Sequence, residues 1–345
     1  MKKAVESVTA GHPDKVCDQI ADAIVDEFLR RDTKARVDLN VLGSQGMLMI
    51  GGEVDSSADF DLAELAKKVY KEIGYQDEIE VFVNIDQRNP KVKTGAHDSV
   101  VVNGYATRET REFLPRALIY AHNIARRMDD LRQTDPTFSW LQPDGKVQLV
   151  IEKDKILSAM VLASHSPDIE TKEVQAAILD RILSPIIGED AVQLFINPIG
   201  QFTICGFQAD SGANGRKLAV DTYGGLIPHG DSALSGKDPY KAARCGSYMA
   251  RYAARYLVEQ GLAESAIINA AYIIGRAEPV HLEARGVGEK SRGTKMDLTE
   301  VVKSQFDFRP EAIVERLDLA KPLYRHTATY GHFGRLGFPW EESVK

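Results

Sequence analysis

One order of elements, a helix followed by two strands and a second helix, recurs three times along this chain. That recurrence limits the folds open to it more than any other feature. In the first unit a helix is expected over residues 13–31, where Val16, Ile20, Ala23, Ile24 and Phe28 fall at helical spacing. Strand-like runs follow at 35–41 and 47–54, then a helix near 62–73 and a short strand at 80–85. The second unit gives a helix at 112–131, strands at 147–151 and 159–165, a helix at 174–187 and a strand at 192–196. In the third, a helix at 240–260 precedes strands at 266–274 and 279–284 and a helix near 298–305. The interval is roughly 110–120 residues, beyond the period of solenoid repeats. The pattern predicts an α+β fold of three domains, each an antiparallel or mixed sheet covered by helices on one face. Chance recurrence of hairpin–helix units in a mixed protein is the alternative. The expected boundaries are 1–88, 89–205 (with an active-site loop at 88–104) and 206–345.

The bulk properties agree with such a chain. At 345 residues it is long enough for two or three compact units, and 43% apolar with 27% charged residues is an ordinary globular balance. The three cysteines, Cys17, Cys205 and Cys245, form no C-x-x-C pair. This argues against a zinc site or a disulfide framework and fits a reducing cytosol. No apolar leader opens the sequence and polar residues interrupt every apolar run, so a cytoplasmic protein without membrane segments is expected. A net charge of −7 argues against general nucleic-acid binding. Basic residues that gather beside particular glycines in an acidic chain point to a local anion site.

Three segments carry that signal. Gly11-His12-Pro13-Asp14-Lys15 places proline at the first helical position, so the motif opens a helix where backbone donors favour a phosphate. There His12 can donate to a leaving oxygen, Asp14 can hold Mg²⁺ and Lys15 can meet a phosphate; ordinary helix capping is the plain alternative. Asp210-Ser-Gly-Ala-Asn-Gly-Arg216-Lys217 reads as a turn presenting two cations before a β-like run, Leu218 to Asp221, or as a solvated hairpin tip. His229-Gly-Asp-Ser-Ala-Leu-Ser-Gly236-Lys237-Asp238, with Lys241 beyond, approaches a P-loop. Five residues separate its glycines instead of four, and Asp238 stands where Ser or Thr would hold Mg²⁺, so another kind of anion loop is expected. Lys146 in Pro143-Asp-Gly-Lys146 adds a cation. A cation about 4 Å from a phosphate charge is worth on the order of 4 kcal/mol before desolvation, so several are needed for a polyphosphate leaving group.

These residues resemble the methionine adenosyltransferase (S-adenosylmethionine synthetase) family along nearly the whole chain. The matching stretches are Glu6-Ser-Val-Thr-Ala-Gly-His-Pro-Asp-Lys15, Gly51-Gly-Glu53, Gly104-Tyr-Ala-Thr107, Ile196-Asn-Pro198, Gly215-Arg-Lys217 and Asp221-Thr-Tyr-Gly-Gly225. Ser235-Gly-Lys-Asp-Pro239, Tyr330-Gly-His-Phe-Gly334 and Phe338-Pro-Trp-Glu341 complete them. The resemblance implies pseudo-threefold domains, a homodimer or homotetramer with sites at the subunit interface, and attack of methionine sulfur on C5′ of ATP with release of phosphate and pyrophosphate. It implies catalytic roles for His12, Lys15, Lys146, Arg216, Lys237 and Lys241, and Asp14 as the Mg²⁺ ligand. ATP would be bound by His12, Asp144, Lys146, Phe202, Asp210, Arg216, Lys217, Ala233 and Lys237, with Phe202 against adenine. Methionine would be bound by Glu53, Gln87, Asp210 and Lys241.

The chain also departs from the family pattern. Asn40 and Ala243 stand where acidic residues are usual, which implies weak dependence on K⁺. Gln201 replaces an arginine, Gly95-Ala-His97-Asp-Ser99-Val replaces Gly-Ala-Gly-Asp-Gln-Gly, and the loop from Gln87 to Gly95 is about ten residues shorter than usual. His97 is read as part of an exposed turn, with replacement of lost charge as the alternative. Other outcomes are a different thioether substrate, hydrolysis of polyphosphate, or a non-catalytic nucleotide-binding partner subunit.

Overall fold

The computed structural model describes residues 2–87, 95–153, 155–188, 192–288 and 296–343. In chain order the strands are β1 (Lys2–Val8), β2 (Arg36–Ser44), β3 (Met47–Asp55), β4 (Glu80–Gln87), β5 (Val100–Thr107), β6 (Leu141–Glu152), β7 (Lys155–His165), β8 (Gln193–Ile196), β9 (Gly212–Ala213), β10 (Ser265–Tyr272) and β11 (His281–Val287). The helices are α1 (Pro13–Arg31), α2 (Leu62–Ile73), α3 (Arg116–Thr134), α4 (Thr171–Ile178), α5 (Ser184–Ile187), α6 (Leu218–Asp221), α7 (Ala242–Glu259), α8 (Leu298–Gln305) and α9 (Pro310–Arg316). A single wide turn, Leu179–Leu183, joins α4 to α5.

Three sheets result, with orders β1-β6-β7-β8, β4-β3-β2-β9 and β11-β10-β5. They share one pairing scheme. In each, a hairpin (β2–β3, β6–β7 or β10–β11) pairs antiparallel, and its first strand takes a further antiparallel neighbour from a distant part of the chain: β9, β1 or β5. The first two hairpins add a parallel strand on the other side, β4 or β8, after a helical crossover. The fold is therefore α+β with three units of one plan, as the periodicity implied.

The borrowed strands cross the expected boundaries: β1 joins the sheet of the central segment, and β5 joins that of the C-terminal segment. Both escaped the sequence reading. Lys2–Val8 holds few apolar residues, and Val100–Thr107 lies mostly within the stretch 88–104 expected as a loop. The run Leu218 to Asp221 is a helical turn and not the β-like run expected, because Asp221 and Thr222 N–H groups bond back to Lys217 and Leu218 carbonyls. The central helix begins at Arg116 and not at 112, since Pro115 lacks the N–H to continue a helix backwards. The expected loop between Gln87 and Gly95 lies largely outside the described residues.

Helices cover one face of each sheet. On β2, alternation buries Val37, Leu39 and Val41 against α1 and turns Asp38, Asn40 and Leu42 to the other face. α7 is buried all round and small residues line it. A Cβ at Gly104 of β5 would lie 2.1 Å from the Ala250 carbonyl oxygen, so only glycine lets helix and strand approach this closely. One apolar core joins the N- and C-terminal sheets, and a second lies between α3 and the central sheet. The uncovered face of the β4-β3-β2-β9 sheet leaves Leu42, Met47, Met49 and Phe82 between 43% and 46% exposed.

Candidate active site

The β1–β6 ladder brings the first motif beside Pro143-Asp-Gly-Lys146. It ends at Val8↔Lys146, and Thr9 N–H continues to the Gly145 carbonyl at 3.0 Å. β9 then holds the Asp210–Lys217 loop against the start of α1. Gly212 is required here, because a Cβ would meet the Pro13 carbonyl oxygen at 2.2 Å. The result is a first group of residues at the N-terminus of α1. Asp14 accepts from Ala213 N–H at 3.0 Å, pairs with Lys217 at 2.7 Å and lies 3.4 Å from Arg216. Lys146 pairs with Glu6 at 2.7 Å. Asp144, nearly buried, accepts from Gly206 N–H at 3.0 Å, and burial lifts its carboxyl to about 6. Phe202 stands at the end of β7: its carbonyl accepts from His165 N–H at 2.9 Å, and its own N–H donates to the His165 ring Nε2 at 3.2 Å.

His12 caps α1. Its Nδ1 accepts the Asp14 N–H at 3.2 Å, which leaves the proton of a neutral ring on Nε2. Burial, and then Lys217, lower its pKa to about 3, so the ring is neutral at physiological pH. A neutral imidazole with Nε2–H free of that bond is a donor suited to a developing oxyanion. Asp14 lies below the usual carboxylate range; burial opposes that shift, and the Lys217 and Ala213 bonds outweigh it.

Lys15 is a correction to the expected direct phosphate contact. It is 1% exposed, with its ammonium 2.9 Å from Asp18 and also bound to Asp221. Its pKa is raised by these carboxylates against the opposing effect of burial. The helix turns position 15 inward, and Lys217 and Arg216 are the cations beside Asp14.

A second group lies toward the start of β2. Lys237 forms an isolated bridge with Asp38 and its ammonium meets Ser232 Oγ. Burial lowers its pKa. Lys241 pairs with Asp38 at 2.7 Å. Across the sheet, Asp38 is in register with Glu53, and Glu53 with Asp86, so three carboxylates share one face. Gln87 is opposite Val54, one residue out of phase with Glu53. Ala233 packs on Gly215, where the two glycine loops meet. Asp210 is exposed, and its Oδ1 accepts from Ser211 N–H. Neither Lys237 nor Lys241 makes a hydrogen bond or ion pair with the first group among the described residues.

The acids expected at Asn40 and Ala243 have neighbours that the sequence reading passed over. Asn40 is exposed, and the carboxylate of β2 engaged with lysine is Asp38, two residues earlier. Ala243 is buried, and Asp98 accepts the Ala242 and Ala243 N–H groups at 2.7 and 3.1 Å, capping α7 from outside. His97 is half-buried and does not lie on an exposed turn; burial and Arg36 lower its pKa. Gln201 is exposed. Also missed was a ladder of carboxylates along α1. Asp18 accepts from Gly215 N–H and Ser235 Oγ, Asp22 from Gly236 N–H and Arg244, and Asp26 from Tyr324 and Arg325 N–H. Their four-residue spacing after Asp14 was visible in the sequence.

No group of three or more His, Cys, Asp or Glu able to hold a metal occurs among the described residues. Asp14 nonetheless fits Mg²⁺, which is typically held by one or two carboxylates together with substrate phosphates. No described helix is long and apolar enough to cross a membrane.

Family models for the three S-adenosylmethionine synthetase domains match in order: the N-terminal domain at residues 2–98, the central domain at 93–202 and the C-terminal domain at 204–342. The S-adenosylmethionine synthase of Petrotoga mobilis is 39% identical over 393 aligned positions that take in 100% of this chain and 98% of that protein. Those of Thermus thermophilus and Sorangium cellulosum are also 39% identical, each over 98% of this chain and over 95% and 86% of their own lengths. An alignment longer than the chain means that the Petrotoga protein carries residues this one lacks.

Proposed function

The chain belongs to the S-adenosylmethionine synthetase family, and from that premise we propose that it is a methionine adenosyltransferase whose site is completed by two copies of the chain. ATP and L-methionine are the substrates. The sulfur lone pair attacks C5′, the S–C bond forms as the C–O bond breaks, and the electron pair leaves with the triphosphate. Water then splits that chain into phosphate and pyrophosphate. The sulfur becomes a sulfonium without losing a proton, so the reaction needs alignment and charge neutralisation and no strong base.

The observation that carries this reading is the meeting of His12, Asp14, Lys146, Arg216 and Lys217 at the N-terminus of α1. His12 Nε2–H donates to the departing oxygen, and Lys146, Arg216 and Lys217 hold the phosphates. Bound Mg²⁺ would neutralise phosphate charge beside Asp14. Asp144 and Phe202 flank the nucleoside end. On the second group, Glu53 with Asp38 and Asp86 offers negative charge to the methionine ammonium, and Lys237 and Lys241 offer cations for phosphate and carboxylate. Gln87, Asp210 and Ala233 complete the expected contacts, and Lys15 serves from beneath by holding Asp18 and Asp221.

The lack of a hydrogen bond or ion pair from Lys237 or Lys241 to the first group among the described residues, and a sheet face with four large apolar side chains open, support assembly across a homodimer. Pairing of such dimers into a tetramer is compatible with the family. Weak K⁺ dependence is proposed as well, since the Asp38 carboxylate is already neutralised by Lys241. A cytoplasmic location suits the ATP requirement.

Incubation with ATP, methionine and Mg²⁺, with products quantified, tests the reading. Sulfonium formed in equal amount to pyrophosphate is expected. Phosphate release without sulfonium would replace this reading by polyphosphate hydrolysis, and nucleotide binding without either product would replace it by a partner-subunit role.

A further inference from the structure

The cavity of about 1010 Å³ that α3 encloses with the segment after α9 lies apart from both half-sites. It is on the helical side of the central sheet: Ser7 of β1 faces it through His122, whereas neighbouring Glu6 faces the other side with Lys146. Two of the cations in its wall, Arg126 and Arg335, have no carboxylate paired with them among the described residues. The Arg126 guanidinium lies 5.1 Å from the Tyr330 ring centroid and that of Arg335 lies 4.7 Å from Phe338. Neither is within ion-pair distance of a carboxylate among the described residues.

The carboxylates in the wall are engaged elsewhere or stand off. Glu112 pairs with Arg111 at 2.7 Å, Glu341 with Arg251 at 2.8 Å, and Asp130 makes no ion pair with Arg126, one turn away. Arg335 donates to the His326 carbonyl through Nη2, while its Nε has no partner among the described residues. Burial and the nearby Arg126 draw the Arg335 pKa down to about 10. His122 is 4% exposed; its Nδ1 is 2.8 Å from Ser7 Oγ, and its buried Nε2 has no partner among the described residues.

Two guanidinium groups that repel each other, a buried polar atom without a partner and an aromatic wall form an arrangement that an anion would complete. The volume lies at the upper end of the range for small-molecule sites. We propose that this cavity binds a phosphate-bearing small molecule, with Arg126 and Arg335 gripping the phosphate and Tyr330 and Phe333 walling the rest. A nucleotide and a free polyphosphate share the chemistry that these groups recognise.

Calorimetric titration of the whole chain with tripolyphosphate, without Mg²⁺, tests this separately from the catalytic reading. Two sites per chain are expected. Lys217→Gln should weaken one, and Arg126→Gln with Arg335→Gln should weaken the other by about tenfold or more while leaving turnover unchanged. A single site per chain, lost in Lys217→Gln and unaltered in the double variant, would overturn the proposal. If the double variant does not melt cooperatively, Arg126→Gln alone should weaken the same site. Titrations with AMP and inorganic phosphate distinguish the sources. Tighter AMP binding at the Arg126 site marks a nucleotide ligand, tighter phosphate binding marks a free phosphate chain, and failure of both to bind there counts against the site.

Discussion

Asp18 accepts a hydrogen bond from Gly215 N–H at 2.7 Å, one residue ahead of Arg216, and Asp22 accepts from Gly236 N–H at 2.9 Å, one residue ahead of Lys237. A single helix thus fixes both cationic loops by their glycine amides. Asp18→Asn keeps an acceptor but leaves the Lys15 ammonium with Asp221 alone. Lys15 stays paired, so the cost is that of weakening charge-assisted hydrogen bonds to Asp18, about 1.5–3 kcal/mol. Denaturant melts should show a loss of that size, and the folded variant should turn over more slowly through misplaced Arg216. Stability and turnover equal to the parent would contradict a clamping role.

Lys237→Ala should lower turnover by on the order of a hundredfold, the scale seen when one preorganised charge partner of a transition state is removed. Its ammonium bonds only Ser232 Oγ among the described side chains, so melting should change little. Steady-state rates beside a melting curve check this, and a near-normal rate would remove Lys237 from the site.

Acid sensitivity follows from two buried histidines outside the site. Burial lowers the pKa of His122 to about 3 and that of His332 well below its ordinary value. The unfolded chain therefore takes up protons that the folded chain does not. Their contribution is fully present above about pH 6.5 and is lost as pH falls, for His122 by about 2 kcal/mol at pH 5 and for His332 in the same direction. Asp144, lifted to about 6 by burial, acts in the opposite sense and favours the folded state as pH falls from 6 toward 4. Melting temperatures from pH 7.5 to 5 should fall less steeply in His122→Asn than in the parent. Parallel curves would show that His122 is already charged in the folded protein.

Much of the fold was legible because long helices announce themselves. α1 carries its apolar residues at a 3.6-residue period behind a proline, and its limits were read as observed. β1 and β5 were not legible, since each is defined by a distant partner: β1 pairs with β6 and β5 with β10. The same division holds at the site. His12, Asp14, Arg216 and Lys217 stand beside glycine and proline signals, and the structure brings these four together. Asp38, Asp86 and Asp98 occupy ordinary strand and loop positions, and only strand register and the approach of α7 reveal them. Lys15 was legible as a cation but its direction was not, although Asp18 three residues on was a hint.

The uncovered sheet face yields a prediction about assembly. Met49 lies between Leu42 and Phe82 across three strands, so Met49→Glu buries a charge if a second copy covers this face. Light scattering should report monomers for that variant and dimers for the parent, and activity should fall with the dimer. A fully dimeric, active Met49→Glu protein would place the interface elsewhere.

Mixing two inactive proteins probes the two-copy site most directly. His12→Ala damages one half-site and Lys237→Ala the other. After the two are dissociated and reassociated together, half of the dimers should be mixed, and each mixed dimer holds one site with both halves intact. Sulfonium formation should recover to roughly a quarter of the parent rate by the symmetry of the interface. If the mixture stays as inactive as either variant while mixed dimers are present, His12 and Lys237 act within one chain and the account fails.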